Sequence, residues 1–350
     1  QVIILNSLYH IINFENNSTE LIKKLSAKDF NFDGLFQFAS TNLIIPTLYN
    51  AIKAKELENC FPEEFLNAIT YINNLNEVRN KSILSQMQSI AKLFNANAIN
   101  YVFLKSNALL ASSTYRAVSD RMIGDIDILV AKNHLLHAKN LLVNEGYTYA
   151  ASDYDLTFLN HRHLPRLVSK KTIAAIELHS EILSKKQNTL CVNAVLKHKT
   201  VVNGLAIPNK TDCLKHSILS HQINDLGFLK WDFNYKTLYD FLALTKNEAV
   251  RLNTKNKYFR RFFLIKQLYL KDSSIKITFI ESIKIKFLKW RLNHLKINNL
   301  YLYFVAKWGT IKKLPRKFWN LFRDKNYRIF TYKKTIGFFK KHIGKKNVSL

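Results

Sequence analysis

Apolar residues in the first hundred positions recur every three or four residues, which is the period of an amphipathic helix. The clearest run is Phe65, Ile69, Ile72, Leu75 and Val78. Pro62 and the two acidic residues after it are typical of a helix start, because proline fits the first turn and acids complement the helix dipole. We therefore predict a helical region over 1–97, in which one long helix runs from Phe61 to about Asn95.

After residue 97 the pattern changes to short runs rich in β-branched and aromatic residues, which are typical of strands. The predicted strands are Ile99–Leu104, Gly124–Val130 and Thr172–Leu178, with shorter ones at Tyr147–Ala151 and Asp155–Leu159. Helices are predicted at Ala108–Ala111 and at His134–Glu145, and Gly146 is the expected C-terminal cap of the second. The pattern predicts an α+β fold, with a short mixed sheet and helices packed on it.

Two aspartates interrupt the apolar strand that reads GDIDILV. Successive side chains on a strand point to opposite faces, so Asp125 and Asp127 share one face while Ile126 and Ile128 point into the core. Adjacent carboxylates repel each other, and burial strengthens the repulsion. A divalent cation would offset it, and Mg²⁺ favours carboxylates together with substrate phosphates. The alternative interpretation is an edge strand with two solvated aspartates.

A second acidic strand follows, and on it Glu177 and His179 share one face. If this strand lies beside the first, Glu177 completes a set of three carboxylates for a two-metal site. Two ions about 4 Å apart clamp the attacking and leaving oxygens in such sites. His161 and His163 form an HxH pair that could offer further metal ligands, but we favour a substrate contact or a plain surface turn as the interpretation of that pair.

Several basic and hydroxyl side chains precede the aspartates. Lys105 and Ser106 lie where a strand passes into a helix, a position that offers backbone N–H groups to an anion. Ser106 is interpreted either as a phosphate contact or as the cap of that helix. Arg116 and Arg121, in the following loop, either pair with neighbouring aspartates or bind phosphate.

Composition narrows the class of protein. With only 8 glycines and 5 prolines in 350 residues, an all-β, turn-rich fold is disfavoured. The three cysteines are scattered and form no CxxC motif, which suggests neither a disulfide framework nor a structural zinc site. No apolar run of about 18 residues occurs, so no membrane span is expected. We expect a cytoplasmic protein, with peripheral attachment at the inner face of the membrane as an alternative.

Positive charge is concentrated at one end of the chain. Residues 251–350 contain 27 Lys and Arg and 3 acidic residues, a net charge of +24 out of +28 for the whole chain. Lysines there alternate with aromatic and aliphatic residues, as in IKIKFLKW at 283–290. Solvated helix faces, a membrane-surface anchor and an RNA-binding surface are three interpretations. We favour the membrane surface over RNA, because the aromatics lie among long aliphatics and not on an evident strand platform.

Four stretches together resemble motifs of the uncharacterised bacterial nucleotidyltransferase family, within the DNA polymerase β-like nucleotidyltransferase superfamily. The stretches are Leu104–Leu109, Arg121–Val130, Leu142–Tyr147 and Ile176–His179. His221 and the run Leu238–Phe241 look like that family's later helical region. The resemblance covers roughly residues 98–245.

This resemblance implies a function and a set of site residues. Asp125, Asp127 and Glu177 would bind Mg²⁺, with Mn²⁺ as an alternative, and Lys105 and Ser106 would lie at the nucleotide phosphates. Ser106 stands where the family has glycine, a departure that removes backbone freedom. The implied reaction is transfer of a nucleotidyl group from an NTP to a hydroxyl or phosphate acceptor.

Within that reaction, Lys105, Arg116 and Arg121 are expected to steady the triphosphate. The alternative function is a non-catalytic adaptor that binds a membrane surface or RNA through the basic C-terminal part, and nucleotide addition to an RNA end is a third. We expect four parts. They are a helical region over 1–97, a nucleotidyltransferase core over 98–190, a helical region packed on it over 191–250 and a basic helical extension over 251–350.

Overall fold

The computed structural model describes most of the chain. The described ranges are 2–15, 19–150, 162–232, 234–248, 252–267, 275–311, 314–325, 327–329, 331–332 and 335–336. Within them, helices precede and follow one mixed sheet of five strands. The predicted α+β class is therefore confirmed, and the predicted four-part division remains a prediction.

The chain begins with helices, as predicted. They are α1 (Val2–Ile12), α2 (Thr19–Leu25), α3 (Phe32–Thr41), α4 (Ile45–Ala54) and α5 (Glu63–Ala96). The long helix α5 follows Pro62 and ends one residue beyond the predicted limit. Two of the residues that predicted its apolar side are in fact solvent-exposed, since Leu75 is 56% and Val78 67% exposed.

Asparagines take the buried positions of α5 where the apolar period predicted aliphatic residues. Asn76 and Asn80 are buried and donate hydrogen bonds to backbone carbonyls of the loop that precedes the aspartate strand. The Asn80 amide reaches the Arg121 carbonyl at 2.8 Å. Arg79 donates to the carbonyls of Ile123 and Gly124 in the same loop. The central part of α5 is therefore bound to a loop, and polar groups make that contact.

The central sheet comes from the middle of the chain. Its strands are β1 (Tyr101–Phe103), β2 (Asp125–Val130), β3 (Thr148–Tyr149), β4 (Leu167–Val168) and β5 (Ala175–His179), in the order β1-β2-β5-β4-β3. Only β2 and β5 pair in parallel, and the other pairs are antiparallel. The helices α6 (Lys105–Ala111) and α7 (Leu135–Asn144) follow β1 and β2. The predicted strands are confirmed with shorter bounds, except that Asp155–Leu159 lies outside the described residues.

Further elements cover the sheet. They are α8 (Val192–Lys197), the hairpin strands β6 (Thr200–Val202) and β7 (Leu205–Ile207), α9 (Lys210–Leu219), α10 (Gly227–Lys230), α11 (Tyr235–Thr245) and α12 (Lys257–Lys266). A π-helical turn at Ser220–Asn224 follows α9. A single buried cluster of apolar side chains extends from Leu5 to Phe262. The N-terminal helices, the sheet and the later helices thus share one core.

Three more helices belong to the basic part of the chain. They are α13 (Phe279–Asn293), α14 (Leu295–Ile311) and α15 (Leu314–Arg323). Arg291 on α13 is buried and donates to the carbonyls of Lys230 and Trp231. That guanidinium also lies 4.0 Å from the ring centroid of Tyr301, so it joins α13 to α14 and α10. None of the helices in the described ranges is long and apolar enough to cross a membrane.

Candidate metal and nucleotide site

The two acidic strands lie side by side at the centre of the sheet. Asp127 pairs with Glu177 in the parallel register of β2 and β5, and Asp125 is two residues before Asp127 on the same face. His179 follows Glu177 by two residues and shares that face. The apolar residues between them, such as Ile126 and Ile128, are fully buried on the opposite face. The strand pairing therefore brings the three predicted carboxylates together.

Asp127 is the most enclosed of the three carboxylates, with 8% of its side chain exposed. Its Oδ1 accepts from Lys105 Nζ at 2.6 Å and lies 2.8 Å from His179 Nε2. The same His179 nitrogen lies 3.4 Å from Glu177 Oε2. Lys105 comes from the strand-to-helix turn before α6, so three separate elements meet at this carboxylate.

An arginine that the sequence reasoning did not select bridges the other two carboxylates. Arg166 Nη2 lies 2.9 Å from Asp125 Oδ2, and its Nε donates to Glu177 Oε1 at 2.7 Å. The pairing of Leu167 with Ile176 in β4 and β5 places Arg166 opposite Glu177, where cross-strand side chains interact. Only the register of β4 and β5 indicates this contact, and β4 is just two residues long.

The surrounding charges act differently on the three acids. Hydrogen bonds from His179 and Arg166 outweigh burial and hold the pKa of Glu177 well below its usual range. Burial raises the pKa of Asp127, but His179 and Lys105 outweigh it, so the net pKa is lowered. For Asp125, burial and the neighbouring carboxylates outweigh Arg166, and its pKa is raised. Glu177 and Asp127 are therefore ionised at neutral pH and available as ligands.

The donor set fits a divalent cation. Ligand atoms of Asp127, Glu177 and His179 all lie within 4.8 Å of one another, and all three residues are buried. Asp125 is not in that group, and Arg166 connects it to Glu177. Carboxylate oxygens suit Mg²⁺ and Mn²⁺, whereas an imidazole nitrogen suits transition metals better. The carboxylates are accordingly the expected ligands, and His179 orients Asp127 and Glu177.

The turn at the start of α6 explains why glycine is dispensable at position 106. The left-handed backbone conformation falls on Lys105, with φ of 55°, and not on Ser106. Ser106 therefore does not need the freedom that glycine provides. The interpretation of Ser106 as the helix cap is wrong, because α6 begins at Lys105 and its cap position is Leu104.

The two loop arginines lie away from the carboxylates. Arg116 donates to the carbonyls of Ile12 and Asn13 and lies 3.9 Å from the ring centroid of Phe14, so it holds the end of α1. The buried Arg121 pairs with Asp240, at 2.9 Å from Nε to Oδ1, and not with a neighbouring aspartate. Binding of the triphosphate by Arg116 and Arg121 remains a prediction. The contacts of Arg116 do not favour that role for it.

A pocket of about 210 Å³ opens beside Lys105. Ser106 and Arg121 also line it, together with His216 and Lys236 from α9 and α11. Burial lowers the pKa of His216 to about 3, so its imidazole is neutral, and its buried Nε2 has no hydrogen-bond partner in the described residues. Burial and then the positive charge of Arg121 lower the pKa of Lys236. Sequence reasoning missed His216 and Lys236, because no local pattern connects them to the aspartate strand.

The predicted HxH pair is described only in part. His161 lies outside the described residues. The ring of His163 lies 5.0 Å from that of His179, measured between centroids, and its Nδ1 is 2.9 Å from the Leu164 carbonyl. His163 thus packs against a residue of the site, and its predicted role as a metal ligand remains a prediction.

Comparison with known proteins connects this geometry to a family. The sequence model of a family described as an uncharacterised nucleotidyltransferase matches residues 28–260. The match includes both acidic strands, Lys105 and the pocket, and it ends before α13. Comparison with the curated proteins gives no match. The family match covers about two thirds of the chain, and the protein therefore belongs to this family of uncharacterised nucleotidyltransferases.

Proposed function

We propose that the protein is an enzyme that moves a nucleotidyl group from an NTP to a hydroxyl or phosphate acceptor, using divalent metal ions. The convergence of Asp125, Asp127 and Glu177 on one face of two adjacent strands carries the proposal. Metal ions bound there polarise the α-phosphate and lower the cost of an ionised acceptor oxygen. The proposal includes the placement of the family within the DNA polymerase β-like superfamily.

The roles of the residues follow from their contacts. The three carboxylates hold Mg²⁺, or Mn²⁺ in its place, and His179 keeps Asp127 and Glu177 oriented through its Nε2. A bound cation would weaken the contacts of Arg166, because both place positive charge beside the same carboxylates. Its side chain is 53% exposed, so it has room to turn toward solvent. Once released, it is a cation beside the site that can face a substrate phosphate.

The pocket beside Lys105 gives the triphosphate a place. Lys105, Ser106 and Arg121, three of the residues assigned to the phosphates from the sequence, all line this pocket. Lys236 adds an ammonium group to the lining, which also includes the carboxylates of Asp225 and Asp240. Cations and hydroxyl groups together suit an anion of high charge. We therefore place the β- and γ-phosphates in this pocket, between α6 and α11.

Transfer of label tests the proposal. The protein is incubated with each α-labelled NTP, Mg²⁺ and a cell extract, and the label is followed into protein, RNA and lipid fractions. We expect transfer by the wild type and none by Asp127→Asn. Lys236→Ala should show a higher KM for NTP than the wild type. Lys197→Ala, an exposed lysine of α8, is the matched control and should behave as the wild type. Equal labelling by the wild type and Asp127→Asn would refute the enzyme proposal.

A non-catalytic adaptor is the second candidate. Lys105, Arg166 and His179 already pair with the carboxylates in the absence of a metal. A site with a purely structural role could have the same arrangement. The basic part of the chain would then bind an anionic partner, membrane surface or RNA, at the cytoplasmic side. This candidate predicts no thermal shift with NTP and Mg²⁺ and no effect of Asp125→Asn. Copurified RNA and steep salt dependence would instead support nucleotide addition to RNA.

A further inference from the structure

Exposed apolar side chains are concentrated near the C-terminal end of the described chain. Of the 28 large hydrophobic residues that are exposed among the described residues, 19 lie between Ile277 and Tyr332. Exposed hydrophobics scattered singly are ordinary, but a dense group of them marks an interaction surface. The excess of basic residues lies in the same part of the chain, which is beyond the family match.

The helices α13 and α14 pack on the rest of the protein through one side each. Leu288 and Arg291 are buried on α13, and on α14 Gly309 is buried and Tyr301 donates to a carbonyl of α10. The outward sides carry many large apolar residues among their lysines, although outward sides of helices are ordinarily polar. The exposed residues there include Phe279, Ile283, Phe287 and Trp290 on α13 and Leu300, Tyr303, Phe304 and Trp308 on α14.

The short helix α15 separates apolar from basic positions around its axis. Leu314, Phe318 and Phe322 recur every fourth residue and fall on one side. Phe318 is 59% and Phe322 78% exposed, so the described part of the chain leaves this apolar side largely uncovered. A helix with an uncovered aromatic side and basic residues elsewhere is the form that lies in the plane of a lipid–water interface.

We propose that α13, α14 and α15 form a docking surface for bilayers that contain anionic phospholipid. The apolar side of α15 enters the boundary between headgroups and acyl chains, together with Trp308. The exposed lysines Lys286, Lys289 and Lys307 contact the lipid phosphates. This surface is separate from the proposed nucleotidyl transfer, and either proposal can fail without the other.

The composition of the surface distinguishes lipid from two other occupants. RNA-binding surfaces use aromatic rings for stacking and cations for phosphates, and they have no use for exposed aliphatics such as Ile283, Ile297 and Leu300. A second copy of the chain would bring two regions of net charge +24 together, which opposes association. Acyl chains accept aliphatic and aromatic residues alike, and anionic headgroups complement the charge.

Cosedimentation of the full chain with vesicles tests the apolar contact. Vesicles of phosphatidylglycerol and phosphatidylcholine should bind the protein, and vesicles of phosphatidylcholine alone should bind it far less. Phe318→Ser/Phe322→Ser should weaken binding at least about tenfold, because two inserted rings are lost. The matched control is Tyr71→Ser/Val78→Ser on α5, whose side chains are both 67% exposed. Unchanged melting temperatures would show that both variants are folded.

Separate experiments test the charge of the docking surface and the depth to which it enters the bilayer. Lys286→Glu/Lys289→Glu should weaken vesicle binding, whereas Lys92→Glu/Lys132→Glu, exposed lysines outside the surface, should not. Tryptophan emission should shift to shorter wavelength on vesicle binding, and Trp308→Phe should reduce that shift. Asp127→Asn should bind vesicles as the wild type does, which keeps this result distinct from that of the transferase assay.

Three results would overturn the docking proposal. The first is wild-type vesicle binding by the Phe318/Phe322 variant, since insertion would then be absent. The second is saturable binding of an RNA oligonucleotide without vesicle binding. The third is a dimer in the absence of lipid that dissociates in the same variant, which would assign the surface to a second copy.

Discussion

Arg166 determines the electrostatic state of the carboxylate site. Its guanidinium bridges Asp125 and Glu177, while Lys105 and His179 serve Asp127. Two full positive charges thus face three carboxylates, and any added cation is repelled by Arg166 as it approaches these acids. A unit positive charge about 4 Å from a divalent ion opposes it by up to about 2 kcal/mol in water-like surroundings, and by less when the side chain turns into solvent.

Removal of Arg166 should therefore strengthen metal binding. We expect Arg166→Ala to bind Mn²⁺ a few-fold more tightly than the wild type, measured by isothermal titration calorimetry without nucleotide. Lys92→Ala, an exposed cation on α5, is the control and should leave the affinity unchanged. Weaker binding by Arg166→Ala would show that this guanidinium supports the metal site and does not compete with the ion.

At the scale of elements, α5 and the π-helical turn hold the site from two sides. Asparagines of α5 bind the loop that leads into β2. The turn places His221 against the acids of a following loop, with Nε2 3.3 Å from Asp232 Oδ1. Gly227 packs against that imidazole so closely that a Cβ would lie 2.4 Å from Nε2. The α5 contact joins segments that are far apart in sequence. The His221 contact involves an irregular backbone turn.

Loss of the α5 contact should destabilise the fold. Asn80 is fully buried and donates to the carbonyls of Val118 and Arg121. We expect Asn80→Ala to lower the free energy of unfolding by about 1–3 kcal/mol, because the Val118 carbonyl loses the Asn80 donor and the Arg121 carbonyl keeps only Asn76 of its two asparagine donors. Asn74→Ala, exposed on the same helix, should change it by less than about 0.5 kcal/mol in urea denaturation.

His221 should make stability depend on pH above neutrality. Burial lowers its pKa, but Asp225 and Asp232 outweigh burial and raise it to about 9. The stabilisation is complete below the ordinary histidine pKa and is lost as the pH rises through about 9. We expect the free energy of unfolding to fall by up to about 3 kcal/mol between pH 6.5 and 9.5. His221→Gln should flatten this decline and exposed His198→Gln should not, and a decline that persists in His221→Gln would contradict the assignment.

At the scale of the molecule, the strands and most helices were predictable because their apolar residues follow a period of two or of 3.6. The convergence of Asp127 and Glu177 followed from two acidic strands in one short stretch. Arg166 and Lys236 were not predictable, since only tertiary packing brings them to the site. The burial of the α5 asparagines and of Arg291 was not predictable for one reason. Their side chains donate to backbone carbonyls that are at least 38 residues away in the sequence. No local sequence pattern indicates such a contact.

The central claim is that these carboxylates share divalent cations in the presence of a nucleotide. Calorimetric titration of Mn²⁺ into the full chain with a non-hydrolysable NTP analogue tests it most directly. We predict saturable binding by the wild type and at least about tenfold weaker binding by Asp127→Asn, which lacks a charged ligand. Equal affinities in the two proteins, or no binding by the wild type, would contradict the proposed transferase site.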